Sequence, residues 1–292
     1  MFHLIVKDEN LKRKKNLKKL QTVEEAFKRA GLEYTVHRTV EKSDPVNISA
    51  AVTEGAGNAV IVMGGDGTLH DVLNGFKNFK DNSLGLIPFG TGNDFAKSAK
   101  IPLNVKKAVN IIISGKPAPV DFIQFSSGLR SLNAAGMGID VDVLKRVYTK
   151  GLRGKTKYLR ALLYCLSRFK SYDFTAVLDG GEEITHSGLI AAVGNGKYIG
   201  GGIKVCPDAK IDDGYLDIMI ADYISKSAIP FAFLKLMRGK VNKVKQVTAL
   251  KAKSVKFIPH GKYTVQADGE LYDNTAIEAR VSDEKLLFYK LK

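Results

Sequence analysis

No tryptophan occurs anywhere in this 292-residue chain, proline is limited to eight positions, and cysteine to two, Cys165 and Cys206. With no CxxC pair and only five scattered histidines, neither a disulfide framework nor a zinc centre is supported. Long apolar runs are also missing. Stretches such as Ala161–Leu166 and Ile229–Leu234 fall far short of the ~20 residues that span a bilayer. The opening Met-Phe-His-Leu-Ile-Val meets charge at Lys7, too early for the apolar core of a signal peptide, and reads as a first strand. A cytoplasmic protein is expected. The remaining composition, 45% hydrophobic and 26% charged, is globular rather than disordered or collagen-like.

Acid is scarce in places. The 45 Lys and Arg against 30 Asp and Glu leave a net charge of +15, and the excess sits mainly in the second half: five over residues 1–124 and ten over residues 125–292. From Val143 to Lys170 there are nine basic residues and no acid, and from Tyr223 to Ala267 ten and again no acid. Nucleic acid, an anionic membrane and nucleotide phosphates all answer to such a charge.

The first ~125 residues alternate short apolar runs with helical spacing. Strands are predicted at Phe2–Val6, Glu33–His37, Asn58–Met63 and Leu84–Pro88. Between and after them, Leu11 to Phe27, Val46–Thr53, Leu69–Phe79 and Val105–Ser114 carry helical spacing. This pattern implies βαβ units and a Rossmann-like parallel sheet. After Asp121 the period changes to short β-branched and aromatic runs divided by Asp-Gly and Gly-Gly turn signals, from Phe174–Leu178 through Leu286–Tyr289, which predicts an antiparallel sandwich or barrel. Helical insertions are expected near Val141–Phe169 and Ser225–Arg238. The expectation is therefore an α/β domain over residues 1–124 and a β-sandwich domain over residues 125–292, with a cleft between them.

Two glycine-rich segments carry the chemistry. Met63-Gly64-Gly65-Asp66-Gly67-Thr68-Leu69 stands between a buried strand and a helix, and Pro88-Phe89-Gly90-Thr91-Gly92-Asn93-Asp94-Phe95 repeats that placement. In open α/β sheets ligands bind beyond the carboxyl ends of the strands, where glycines admit phosphate oxygens and a helix N-terminus offers free N–H groups. The plainer alternative is a pair of tight turns that need positive φ. With Asp121 at the next strand end, Asp66, Asp94 and Asp121 are expected at one sheet edge, an arrangement that asks for Mg²⁺ beside a nucleotide.

These segments, with Asn133-Ala134-Ala135-Gly136-Met137-Gly138-Ile139-Asp140, Pro207-Asp208-Ala209-Lys210-Ile211-Asp212-Asp213-Gly214-Tyr215-Leu216 and Ala267-Asp268-Gly269-Glu270, resemble the diacylglycerol kinase catalytic family, specifically its soluble bacterial lipid kinases. The resemblance spans nearly the whole chain in order. It implies an ATP-dependent kinase that phosphorylates the hydroxyl of a membrane lipid, with diacylglycerol the leading substrate, in the cleft between an α/β and a β-sandwich domain. By position, Gly64, Gly65, Gly67, Thr68, Gly90 and Thr91 would contact ATP phosphates, with Asn93 beside them and Thr39 near the nucleotide. Asp66, Asp94 and Asp121 would organise catalytic Mg²⁺, Asp66 doubling as a catalytic residue. Asp213, with the carbonyls of Lys210 and Tyr215, would hold a second Mg²⁺, and Glu270 would be the general base. For Asp212-Asp213-Gly214 and Asp268-Gly269 simple hairpin turns are the alternative.

One segment departs from the family pattern. Its usual Asn-Pro-x-x-Gly loop is replaced by Val6-Lys7-Asp8-Glu9-Asn10-Leu11-Lys12, which leaves open whether that loop touches the nucleotide. An NAD kinase-like phosphotransferase with a soluble substrate and a non-catalytic nucleotide- or membrane-binding module are the alternatives. Gly151 to Thr156 only imitates a phosphate loop, having two residues between its glycines where four are required, and His70 reads as a helical surface residue. The basic stretch Leu144–Lys170 interleaves Lys150, Arg153, Lys155 and Lys157 with Tyr148, Tyr158 and Tyr164, which suits peripheral docking to an anionic membrane, while Leu159, Leu162, Leu163 and Leu166 also fit a core-facing stripe. A membrane partner is thus expected and nucleic acid is not; a homodimer remains open.

Overall fold

The computed structural model describes residues 1–154, 156–273 and 276–291; Lys155 of the basic stretch lies outside them. The chain divides into two compact units, residues 1–121 together with 283–292, and residues 122–282.

In the first unit the elements run β1 (Phe2–Lys7), α1 (Asp8–Leu11), α2 (Lys14–Arg29), β2 (Tyr34–Thr39), α3 (Asp44–Glu54), β3 (Ala59–Gly64), α4 (Asp66–Gly75), β4 (Ser83–Pro88), α5 (Asp94–Ser98), α6 (Val105–Ser114) and β5 (Ala118–Val120). They build a six-stranded sheet in the order β2-β1-β3-β4-β19-β5, where β19 is Leu286–Phe288. All pairings among β2, β1, β3, β4 and β19 are parallel, and only β5 runs against its neighbour. Every residue of β3 and β4 is buried, as expected for central parallel strands covered on both faces. The apolar stripe of α2, Leu20, Val23 and Phe27, is buried while Lys14, Lys15, Lys18 and Lys28 are exposed.

The last ten residues correct the predicted division at 124/125. Leu286–Tyr289 is expected within the second domain, yet β19 inserts between β4 and β5 of the first sheet. Burial explains the return: Leu286 and Phe288 are wholly enclosed, and the Phe288 ring meets Phe95 edge-on at 5.2 Å. A short apolar run states that it needs a sheet, not which one.

The second unit contains β6 (Ile123–Phe125), β7 (Arg130–Ser131), β8 (Ala134–Gly138), α7 (Ile139–Thr149), α8 (Lys157–Leu166), β9 (Tyr172–Leu178), β10 (Ile184–Gly194), β11 (Tyr198–Ile199), β12 (Ile203–Lys204), β13 (Leu216–Asp222), α9 (Ile229–Met237), β14 (Val247–Ala252), β15 (Ser254–Pro259), β16 (Thr264–Ala267), β17 (Glu270–Asp273) and β18 (Ile277–Val281). Eleven of these strands form one antiparallel sheet, and β10 branches it by pairing with β8, β9 and β13. Alternate residues such as Met137, Phe174, Val193, Ile218, Phe257 and Val265 fill one core. The opposite faces of β10 and β13 bury Ile190, Ala192, Met219 and Ala221 beneath α7, α8 and α9, so these two strands are apolar on both sides. The predicted helical insertion is two helices, broken where Gly151 and Gly154 take φ of +56° and +90°.

Candidate active site

The parallel sheet sets the frame. Lys7 pairs with Thr39, and Gly64 pairs with Pro88, so the carboxyl ends of β2, β1, β3 and β4 form one edge from which both glycine loops leave. The loops touch each other. A Cβ on Gly65 would lie 3.0 Å from the Gly90 Cα, and one on Gly90 would lie 2.6 Å from the Gly65 Cα. Gly64, Gly65 and Gly90 are absent from the positive-φ residues, so it is close approach, not turn geometry, that requires these glycines. The amides of Phe89 and Gly90 both donate to the Gly64 carbonyl, at 2.8 and 3.3 Å, which ties one loop to the other. Thr68 is buried in the first turn of α4, beneath Gly64, whereas Gly90 and Thr91 are exposed and Gly67 is half-buried.

Two polar atoms at this edge are buried without a hydrogen-bond partner, Thr39 Oγ1 and Asn93 Oδ1. Native interiors rarely leave such atoms orphaned; a hydroxyl donor at the carboxyl end of β2 and an amide acceptor in the second glycine loop suit the polar groups of a nucleotide. Asn93 holds the left-handed conformation at φ +50° and donates from Nδ2 to the Gly90 carbonyl at 2.9 Å. Lys19 stands 4.7 Å over the Phe89 ring, its pKa lowered by burial and then by Lys15. That cation at the rim of the second loop escapes a reading of the sequence, because one lysine among the four in the first half of α2 carries no distinguishing signal.

The three aspartates meet different partners. Asp66 Oδ1 accepts from the Phe95 amide at 3.1 Å, Asp94 pairs with Lys97 at 3.0 Å, and the fully buried Asp121 pairs with Lys285 of the returning segment. Among the described residues no group of three His, Cys, Asp or Glu side chains is gathered to hold a metal ion. Of the three residues expected to share Mg²⁺, Asp94 and Asp121 each have a lysine as counter-charge.

The expected second Mg²⁺ site is also met by an ammonium. Asp213 lies in the turn before β13, and its Oδ1 accepts from the Tyr215 amide at 3.3 Å. Lys251 on β14 reaches Asp213 Oδ2 at 2.9 Å and Asp217 Oδ2 at 2.8 Å. Burial opposes the Lys251 charge, but the hydrogen bonds it donates to the two carboxylates outweigh it and hold its pKa above the ordinary value. Burial raises Asp217 despite the same lysine. Lys210 and Tyr215 are exposed on this turn.

In the second unit Asp268 and Gly269 form the two-residue turn between β16 and β17, with φ of +50° and +90° and Ala267 opposite Glu270. The hairpin alternative holds, and it starts β17 at Glu270. The Asp268 carboxylate accepts from Ser131 Oγ and from the amides of Leu132, Asn133 and Ala134, at 2.6 to 3.1 Å. A second chain of bonds reaches the same turn: Gln266 Oε1 accepts from the Gly269 amide at 3.1 Å, and Gln266 Nε2 donates to Asp140 Oδ2 at 3.1 Å. Burial raises the Asp140 pKa to about 7 against smaller opposing hydrogen bonds from Gln266 and the backbone. Tyr148 donates to the Gly269 carbonyl at 2.8 Å, and its own pKa is raised by burial and then by Glu270. Asp140, Gln266 and Tyr148 do not stand out as site residues in the sequence, because only the fold brings them to Glu270's hairpin.

The segment in place of the usual first loop forms the short helix α1, and Lys7 Nζ stands 3.8 Å from Asp71. His70 is buried within α4 rather than on its surface, because α4 is covered on that side as well. On α8, Leu162 and Leu166 are buried while Leu163 and Tyr164 are exposed, and the guanidinium groups of Arg146 and Arg168 lie over the Tyr164 ring at 3.1 and 4.3 Å.

Comparison with known proteins adds a family signal. Residues 4–125 match the diacylglycerol kinase catalytic domain, and residues 133–288 match the YegS C-terminal NAD kinase beta sandwich-like domain. A diacylglycerol kinase of Mycobacterium tuberculosis is 35% identical over 229 residues, covering 76% of this chain and 73% of that protein. A probable lipid kinase YegS-like protein of Cronobacter sakazakii is 33% identical over 209 residues, covering 69% and 68%. Among solved structures, a putative diacylglycerol kinase from Bacillus anthracis shares the fold with a TM-score of 0.78 at 24% identity, over 98% of this chain and 96% of that one. An NAD kinase from Archaeoglobus fulgidus shares it more distantly, with a TM-score of 0.52 at 13% identity, over 99% and 94%.

Proposed function

This chain belongs to the diacylglycerol kinase catalytic family, and from that premise we propose that it transfers the γ-phosphoryl group of ATP to the hydroxyl of a membrane lipid, diacylglycerol, giving phosphatidic acid. The observation that carries the nucleotide half of this reading is the contact of the two glycine loops at the carboxyl edge of the sheet, an edge that also holds the orphaned Thr39 hydroxyl and Asn93 amide oxygen. The lipid half rests on the relatives named diacylglycerol kinase and probable lipid kinase.

In this reading the backbone N–H groups of the loops, from Gly64 to Thr68 and at Gly90 and Thr91, hold the phosphates. The lipid oxygen attacks the γ-phosphorus, the bond to the β–γ bridging oxygen breaks, and ADP leaves. Glu270 takes the hydroxyl proton. Such catalysis is mainly positioning and charge stabilisation, which suits loops locked together by backbone bonds and a base fixed at the start of a braced hairpin. The substrate stays in the bilayer, so the protein meets it at the membrane surface, where each Lys or Arg near an anionic leaflet adds about 1 kcal/mol and the attraction decays over a Debye length of roughly 8 Å.

A thin-layer assay with radiolabelled ATP, offering diacylglycerol, other bacterial lipid alcohols and NAD in separate reactions, tests the proposal. Labelled phosphatidic acid is the expected product. Labelled NADP in its place would make the chain an NAD kinase-like enzyme, and nucleotide binding without any labelled product would make it a non-catalytic module.

A further inference from the structure

We propose that α9 is a membrane-inserting element, whose outer apolar face enters the headgroup region of an anionic bilayer while its inner face stays packed on the protein. The sequence Ile229-Pro230-Phe231-Ala232-Phe233-Leu234-Lys235-Leu236-Met237 contains one charge in nine residues. Ile229, Ala232, Phe233 and Leu236 pack against the core beneath α7 and α8. On the opposite face Phe231, Leu234 and Met237 are 64%, 51% and 47% exposed. A helix resting on a water-soluble core turns polar side chains outward; one that is apolar all round is buried in something. Three large apolar side chains at a spacing of three form a contiguous patch of the kind that marks an interaction surface.

Charge selects the occupant. Lys226, Lys235, Arg238, Lys240, Lys243 and Lys245 lie on or beside α9 in sequence, within a stretch from Tyr223 to Ala267 that has no acid. A second copy of the chain packed through this patch would set the same cations against each other. An anionic leaflet instead offers hydrocarbon to the apolar face and phosphates to the lysines. Lys235 is built for that boundary: its Nζ lies 4.7 Å over the Phe231 ring and donates to the Lys243 carbonyl at 2.5 Å, the stem on apolar surface and the charge at its rim. A groove beside the helix combines the same chemistry, its lining including Ile224, Ala228 and Phe231 together with Lys243 and Lys245.

This proposal deepens the lipid-kinase reading by naming the surface that meets the substrate's bilayer, and it is tested without turnover so that the two can fail separately. Because the chain has no tryptophan, Phe231→Trp introduces a single reporter. With vesicles of phosphatidylglycerol in phosphatidylcholine, its emission should shift to the blue and be quenched by bromine-labelled acyl chains. Changing Phe231, Leu234 and Met237 together to Ser should leave the melting temperature in place and lower vesicle affinity on the order of a hundredfold. Wild-type affinity in that triple variant would overturn the proposal. So would an unshifted emission from Phe231→Trp beside a shifted one from Leu163→Trp, which would move the insertion to α8. A wild type that sediments as a dimer, binds no vesicle and becomes monomeric in the triple variant would also overturn it, making the face a self-association surface. A protein that inserts α9 and phosphorylates no lipid would uphold this inference and remove the kinase reading.

Discussion

The carboxylate of Asp66 accepts a hydrogen bond from the backbone amide of Phe95 at 3.1 Å, so a side chain of the first glycine loop caps the helix that follows the second. The α5 N-terminus has no capping hydrogen bond from its own Asn93, and a carboxylate near a helix N-terminus is favoured by both the free N–H groups and the dipole. Asp66 thereby holds together the two loops assigned to the nucleotide.

Asp66→Asn keeps a capping oxygen and loses the charge. It should melt within about 1 kcal/mol of wild type while kcat/KM falls by roughly 10²–10⁴-fold, the scale of removing one electrostatic group. Wild-type turnover in this variant would reduce Asp66 to a structural cap.

The Lys251 ammonium between Asp213 and Asp217 stands where the family resemblance implies a metal. Thermal melting of the wild type should be the same in Mg²⁺ and in chelator. Lys251→Met should lose roughly 1–2 kcal/mol, since its charge is partly screened by solvent and two carboxylates are left facing each other, and added Mg²⁺ should then raise its melting temperature. A wild type that melts lower in chelator would show that a divalent ion displaces the lysine.

Asp140 binds its proton more tightly in the fold, where its pKa is about 7, than at the ordinary value of 3.8. The stabilisation this gives is full below pH 3.8, is lost as pH climbs towards 7, and is gone above it. Among the described residues, Asp142, with the Tyr172 hydroxyl on it, Gln266 and the backbone amides of Asp140 and Val141 act on the Asp140 carboxyl. Asp140→Asn should therefore melt above wild type at about pH 8, with the gap narrowing towards about pH 5. Parallel profiles for the two proteins would contradict the raised pKa.

Asp268 accepts four hydrogen bonds from residues 131–134. Asp268→Ala strands several donors and should cost about 2–4 kcal/mol in denaturant unfolding. A cost under about 1 kcal/mol would mean that the turn residues Asp268 and Gly269 hold the hairpin unaided.

Period and punctuation make most of this molecule legible in its sequence. The continuous apolar runs of β3 and β4 announce buried parallel strands, and the Asp-Gly pair announces the turn before Glu270. What stays hidden depends on partners distant in sequence. Leu286–Phe288 reads as a strand, but nothing local says that its partner is β4, some two hundred residues earlier in the sequence. That Asp94 and Asp121 have Lys97 and Lys285 as ion-pair partners is equally invisible in the sequence. The glycines read as tight turns or phosphate cradles, whereas the contact between Gly65 and Gly90 requires both loops in space at once.

That the chain phosphorylates diacylglycerol with Glu270 as the base is tested most directly by the rate of ³²P transfer from γ-labelled ATP to diacylglycerol in mixed micelles, for wild type and for Glu270→Gln at equal melting temperature. Labelled phosphatidic acid from the wild type, with kcat lowered by roughly 10²–10⁴-fold in the variant, is the predicted result; no lipid product from the wild type, or equal rates from both proteins, would contradict it.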